Sequence, residues 1–344
     1  MGRLAPGARL GADLTLGRRL GAGGVAEAWL ARDRAGRMLV AKVLRPGGFP
    51  DGGALLEREA RLAQALAHPT IVPVLGSGSD GDLAWLVLDY VPGGDAGRVR
   101  GGDPAAVLRA LLPVVDALEH AHARGVVHRD VKASNVLLDE QGRGRLGDFG
   151  VAARLSPGPG GDGLAGGGSR GSMSPQQLDG EPPHPADDVY GLGALLYDLL
   201  EGHPPFWPDF DPERVRREAP PPLGRHSEGL GRLVAGMLAK RREERPSLDE
   251  VREGMRAGLD GIEAAAAAGR RRDVALVPPP RVEELIAPVP LPLPARTERG
   301  SRAVREGRGP VLLLFAGLAA VAAGVFFVLP RLVAKAPGGD REGA

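Results

Sequence analysis

One short stretch of the chain concentrates most of its chemistry: His128, Arg129, Asp130, Val131, Lys132, Ala133, Ser134 and Asn135, with Asp148, Phe149 and Gly150 beginning 13 residues after Asn135. The carboxylate of Asp148 and the amide carbonyl of Asn135 are hard oxygen donors, suited to a divalent cation. Lys132, two residues from Asp130, adds a compact cation of the kind that meets an anionic oxygen as a point charge. Such a set can position and neutralise a polyanion. It involves no thiolate, because the 344 residues contain no cysteine, which also excludes disulfides and sulfur-ligated metals. Lysine stands only at 42, 132, 240 and 335 among 44 Lys+Arg, and against that bias a retained lysine directs attention to sites where an ammonium is not interchangeable with a guanidinium.

Holding that set in place requires ordered elements around it, and the length corresponds to about two domains with room for a sizeable core. Leu14–Leu20 and Ala26–Arg32 read as strands flanking the glycine turn Gly21-Ala22-Gly23-Gly24-Val25-Ala26. Arg37–Leu44 reads as a third strand, with Leu39, Val40, Ala41 and Val43 around Lys42. Residues 54–67 pattern as a helix with Leu55, Glu59, Leu62, Ala63 and Leu66 on one face. A carboxylate on an apolar face is costly unless paired, so Glu59 demands a cation from another element. A long helix from Ala105 to Arg124, stopped by Gly125, leads into the polar stretch. His68, His120 and His122 read as capping or surface residues rather than metal ligands.

The pattern H-R-D-x-K-x-x-N followed by D-F-G at hairpin distance resembles the protein kinase superfamily, specifically the eukaryotic-like serine/threonine kinases of bacteria, over about residues 14–255. The resemblance implies an α+β, two-lobed fold, with a small β-rich N-lobe over 14–91 and a larger, mainly helical C-lobe over 92–255. It implies transfer of the γ-phosphate of ATP to Ser/Thr hydroxyls of protein substrates, with autophosphorylation, and Mg2+ or Mn2+ as the cation. Asp130 is then the base that orients the substrate hydroxyl, Lys132 a contact to the transferring phosphate, Lys42 the phosphate-binding strand lysine and Glu59 its helix partner. Asn135 and Asp148 are the metal ligands. Leu20, Gly21, Ala22, Gly23, Gly24 and Val25 cover the nucleotide, and backbone groups of Asp89 and Val91 meet adenine.

The same resemblance assigns the remaining residues. His128 and Asp188 brace the catalytic loop. Ser169 with Lys132 favours Ser/Thr over Tyr substrates, and Ser156, Ser169, Ser172 and Ser174 are the phosphoacceptors around the segment 157–168, which holds seven glycines in 12 positions. Arg129 is placed to pair a phosphoserine there. Three departures stand out. Ala26 replaces the third glycine of the loop and Ala28 the valine that packs on adenine, which predicts weakened ATP binding. Gln176 replaces a glutamate whose family partner is an arginine, here Arg245, so a hydrogen bond replaces an ion pair. These departures sustain an alternative reading, a pseudokinase acting as a scaffold or nucleotide sensor at the membrane. The complete set Lys42, Glu59, Asp130, Asn135 and Asp148 favours the enzyme.

Beyond the catalytic region the composition changes. Residues 256–309 read as an Ala/Pro/Arg-rich, largely disordered juxtamembrane linker, with seven prolines in the 18 residues 277–294. Val311–Leu329 are 19 residues without a charged or hydrogen-bonding side chain, long enough at about 1.5 Å per residue to cross a hydrocarbon core as a transmembrane helix. Five arginines (296, 299, 302, 305 and 308) precede the run, and only Arg331, Lys335 and Arg341 follow it in the tail 330–344. That bias predicts a single-pass protein of the cell membrane with its kinase domain cytoplasmic and the short tail outside. The net charge of +1 creates no field for nucleic acid, so the expected partners are protein substrates and membrane lipid; dimerisation is left open.

Overall fold

A computed structural model describes residues 4–22, 26–44, 52–81, 83–149, 153–154, 170–208, 210–224 and 226–267, without the side chains of 52–55, 59, 153, 154 and 170. Six strands form one antiparallel sheet: β1 (Arg9–Leu10), β2 (Leu14–Ala22), β3 (Ala26–Arg32), β4 (Met38–Leu44), β5 (Val74–Asp80) and β6 (Leu83–Asp89), in the order β1-β2-β3-β4-β6-β5. The N-lobe therefore begins before residue 14. Leu10 is buried in the same cluster as Leu14, Leu16, Trp29 and Trp85, so β1 is needed to close it.

Strand periodicity decides which side of β4 carries chemistry. Leu39, Ala41 and Val43 are buried in the cluster on one face, which turns Val40 and Lys42 to the other. Cross-strand register aligns Gly21 with Ala28, Ala28 with Lys42 and Lys42 with Leu86, so a single row across four strands carries the loop glycine, the small residue and the lysine. Helix α1 (Gly52–Ala65) packs Leu56 and Ala60 into a second cluster with Leu44, Ala84, Leu86 and Ala26. Ala26 is thus a buried strand residue under α1, and its methyl belongs to the core.

The second lobe is helical. It comprises α2 (Pro104–His122), α3 (Pro175–Leu178), α4 (Pro185–Glu201), α5 (Pro212–Arg217), α6 (Glu228–Met237) and α7 (Leu248–Ala267). Asp103 caps α2 through Ala105 N–H, and Val107, Leu108, Leu111, Val114, Val115 and Leu118 are fully buried along it. Helix α4 is buried on every side from Ala186 to Leu200, and its three buried carboxylates, Asp187, Asp188 and Asp198, each accept hydrogen bonds there. Gly193 lets it meet α6, since a β-carbon there would lie 2.7 Å from Cβ of Met237. Helix α7 overturns the start of the expected linker at 256. It continues to Ala267 because Met255, Leu259 and Ile262 recur at helical spacing and pack on the core.

Four short strands complete the middle of the chain. β7 (Val126–Val127) pairs with β10 (Ala153–Arg154), and β8 (Val136–Leu138) forms a hairpin with β9 (Gly144–Leu146). Among the described residues no helix is long and apolar enough to cross a membrane. The expected linker beyond 267, the run 311–329, the tail 330–344 and the segment 157–168 lie outside the described residues.

Candidate active site

The β8–β9 hairpin explains the spacing of the polar motif. Val136 faces Leu146 across it, so Asn135 and Asp148 emerge from its two open ends, tied by a 2.8 Å bond from Gly147 N–H to the Asn135 carbonyl. Lys42, on the cleft face of β4, donates through Nζ to Asp148 Oδ1 at 2.6 Å. Lys132 Nζ donates to Asp130 Oδ2 at 2.6 Å, and Asn135 Nδ2 donates to the same oxygen at 3.0 Å and to the Asp130 carbonyl at 2.8 Å. Lys42, Asp130, Lys132, Asn135 and Asp148 are thereby linked into two hydrogen-bonded groups joined by the hairpin. Both donors of the Asn135 amide are committed inward, and its carbonyl oxygen, 3.5 Å from Ser134 Oγ, is the atom left to meet a cation. That oxygen and the half-exposed Asp148 carboxylate form a two-oxygen set that fits Mg2+, an ion usually held by few protein oxygens together with phosphates and water.

Beneath this layer a buried network holds the loop. Asp188, fully enclosed at the start of α4, accepts from the backbone N–H of His128 at 2.8 Å and of Arg129 at 2.7 Å, and pairs with His122 Nε2 at 2.7 Å. Burial alone would raise its pKa. The hydrogen bond and charge of His122, with His128 and the Arg129 amide, outweigh that and hold it below the usual carboxylate value. His128 accepts from Asp130 N–H at Nδ1, 3.2 Å, so its other nitrogen carries the proton toward the Gly147 carbonyl at 3.0 Å. Its ring meets the edge of Phe149 with centroids 4.7 Å apart. Arg129 and Asp148 both have left-handed backbones, φ 66° and 62°, a conformation that costs non-glycine residues on the order of 1–3 kcal/mol and persists where surrounding contacts enforce it.

His122 corrects the surface reading of the sequence: it is largely buried and joins α2 to Asp188. Its spacing from Leu111, Val115 and Leu118 continues the buried stripe of α2, and that was the available signal. Gln177 and Asp187 were also missed. Gln177 Nε2 donates to the Arg129 carbonyl at 2.9 Å, and Asp187 accepts from Ser174 Oγ at 2.8 Å. Ser174 is fully buried as the N-cap of α3, which removes it from the phosphoacceptors of the folded protein. Gln176 accepts from Arg245 Nη2 at 2.5 Å and donates to the Lys240 carbonyl at 2.8 Å, while Asp187, at 4.0 Å, supplies the negative charge near Arg245.

Of the remaining expected residues, Leu20, Gly21 and Ala22 end β2, and Ala28 lies beside Lys42. Leu20 is among the few large apolar side chains left exposed among the described residues. Asp89 ends β6 with its carboxylate on Arg37, 2.9 Å away, and Val91 is buried just beyond. Ser172 lies in a short 3-10 turn over 170–172. Gly23, Gly24, Val25, Ser156 and Ser169 lie outside the described residues, as does the Glu59 side chain, although its backbone belongs to α1.

Lys240 bonds the Val215 carbonyl at 2.8 Å and lies 4.7 Å from the Phe206 ring centre. Burial, then the Arg245 charge, lower its pKa from 10.5 to about 8. The unfolded chain therefore binds the extra proton between about pH 8 and 10.5, and this residue makes stability rise with pH across that window. Urea unfolding of Lys240→Met and the parent at pH 7.5 and 9.5 should show the larger gain with pH in the parent; equal gains contradict the assignment.

A model of the protein kinase domain family matches residues 14–254. Probable serine/threonine-protein kinase SCO3848 of Streptomyces coelicolor is 34% identical over 288 residues, covering 76% of this chain and 42% of that protein. Serine/threonine-protein kinase PknB of Mycolicibacterium smegmatis is 34% identical over 310 residues, covering 81% and 49%, and PknB of Mycobacterium tuberculosis is 35% identical over 252 residues, covering 67% and 40%. The chain spans less than half the length of these relatives.

Proposed function

The chain belongs to the protein kinase family, and from that premise we propose that it is an active, ATP-dependent serine/threonine kinase tethered to a membrane. The observation that carries the reading is the joint placement of Lys42, Asp130, Lys132, Asn135 and Asp148 around the hairpin ends. A pseudokinase needs no such set. Asp130 orients the substrate hydroxyl and takes its proton as that oxygen bonds the γ-phosphorus; the bond to the bridging oxygen breaks, and ADP leaves. Lys132 and Lys42 place ammonium charges on the transferring and the nucleotide phosphates, and Glu59 is the partner of Lys42. Asn135 and Asp148 would hold Mg2+, which would supply charge neutralisation on the phosphates. Leu20 to Val25, Ala28, Asp89 and Val91 hold the nucleotide, loosely at Ala28 because the side chain is small.

Arg129 is buried, and its Nε has no hydrogen-bond partner among the described residues, which supports the docking of a phosphoserine from position 156, 169 or 172. Incubation of the full chain with γ-labelled ATP, Mg2+ and a basic protein should label serine or threonine on both proteins. Label confined to tyrosine, or no label, contradicts the proposal.

The apolar run 311–329 and the arginines before it support the tether, and ATP places the catalytic region on the cytoplasmic side. The expressed chain should sediment with membranes and be released by detergent but not by high salt, while a chain ending at 309 should be soluble. Release of the full chain by salt alone contradicts the tether.

A further inference from the structure

Arg129, one residue before the proposed base, has its two peptide units tied to different helices. Its N–H donates to Asp188 on α4. Its carbonyl accepts from Gln177 Nε2 on α3 at 2.9 Å, the one donor among the described residues that reaches it. That carbonyl shares a peptide unit with the N–H of Asp130, which donates to His128 Nδ1 at 3.2 Å. The plane from which the Asp130 side chain springs is therefore held at both ends. Gln177 is itself held. It is buried, its Oε1 accepts from Ser174 N–H at 3.2 Å, and its own N–H donates to Ser174 Oγ at 3.1 Å, the reciprocal pair of a capping box. With Oε1 facing a donor, Nε2 must face the Arg129 carbonyl, so the amide has one orientation. A glutamate would cap α3 equally well, but its carboxylate has no hydrogen to donate to that carbonyl. The donor end of Gln177 is thus surplus to forming the helix.

We propose that Gln177 is a positioning residue for phosphate transfer: its amide N–H fixes the peptide plane between Arg129 and Asp130, and through it the place of the Asp130 carboxylate. The proposal rests on the kinase reading above. Gln177 acts through the backbone and needs no contact with substrate. Without its donor the carbonyl of a buried residue is left unpaired, and the peptide unit turns toward another partner to relieve that cost. The turn carries the Asp130 side chain off the line to the substrate hydroxyl, and a displacement of about 1 Å can cost on the order of 100-fold in rate.

Gln177→Glu is the discriminating variant, because it keeps the capping acceptor and can donate to Arg129 only while its carboxyl is protonated. The full chain is assayed with γ-labelled ATP and a basic protein, below the melting transition of each variant at each pH. At about pH 8 the variant should lose about ten-fold or more in kcat with KM for ATP unchanged, and the ratio of its kcat to that of the parent should rise as pH falls. Gln177→Met, which removes donor and acceptor at similar length, should lose kcat to a similar extent with a ratio to the parent that does not follow pH, and it serves if the glutamate variant does not fold. A kcat within about three-fold of the parent in the folded variants, or a loss carried by KM for ATP alone, overturns the positioning role while leaving the kinase reading intact. No transfer by the parent overturns both.

Discussion

Asp130→Asn is expected to lower the rate of phosphate transfer by about 10²–10⁴-fold, the usual contribution of a positioned general base, without lowering thermal stability measurably. The substitution keeps the shape of the side chain. Asparagine can still accept from Lys132 Nζ or Asn135 Nδ2, which now share Oδ2 at 2.6 and 3.0 Å, so the local geometry survives. The charge and the proton-accepting capacity do not. The measurement is kcat together with a melting curve on the same preparation. A rate within about three-fold of the parent at equal stability would remove Asp130 from its role.

Asp188→Ala should act through the fold instead. Three donors converge on that carboxylate, the N–H groups of His128 and Arg129 and the ring of His122, and the side chain is fully buried. Removing it orphans all three and releases the left-handed backbone of Arg129. The expected loss is about 3–5 kcal/mol, a large share of a typical total of roughly 5–15 kcal/mol. Urea denaturation should show it as a lowered midpoint, with activity falling in parallel. Asp188→Asn should lie between the two, because an amide oxygen can still accept while its NH2 opposes a donor. A loss below about 1 kcal/mol would mean that other contacts position the loop.

The parts of this architecture that were legible beforehand are those governed by local periodicity. Alternation along β4 sets Lys42 opposite Leu39, Ala41 and Val43, and the 13-residue interval between Asn135 and Asp148 matches a short hairpin. What escaped depends on contacts between distant segments. Nothing near His122 announces Asp188, which is 66 residues away, and Gln177 meets the Arg129 carbonyl across 48 residues. The charge partner of Arg245 moved for the same reason: with Gln176 neutral, Asp187 on α4 supplies the carboxylate. Helix α7 outran its expected end because the Ala-rich composition past 255 conceals Leu259 and Ile262, whose burial is decided by the neighbouring core. Ala26 shows a limit of motif comparison: it departs from the glycine pattern, yet its methyl sits among Leu44, Leu56 and Ala60.

Transfer of the γ-phosphate of ATP to a protein hydroxyl, as proposed for this cleft, is read out by parallel incubation of the parent and Asp130→Asn chains with γ-labelled and with α-labelled ATP. Serine- or threonine-bound label is expected from the γ position only, in the parent and not in the variant. Equal incorporation in both chains, or none in a folded, Mg2+-supplied parent, would contradict it.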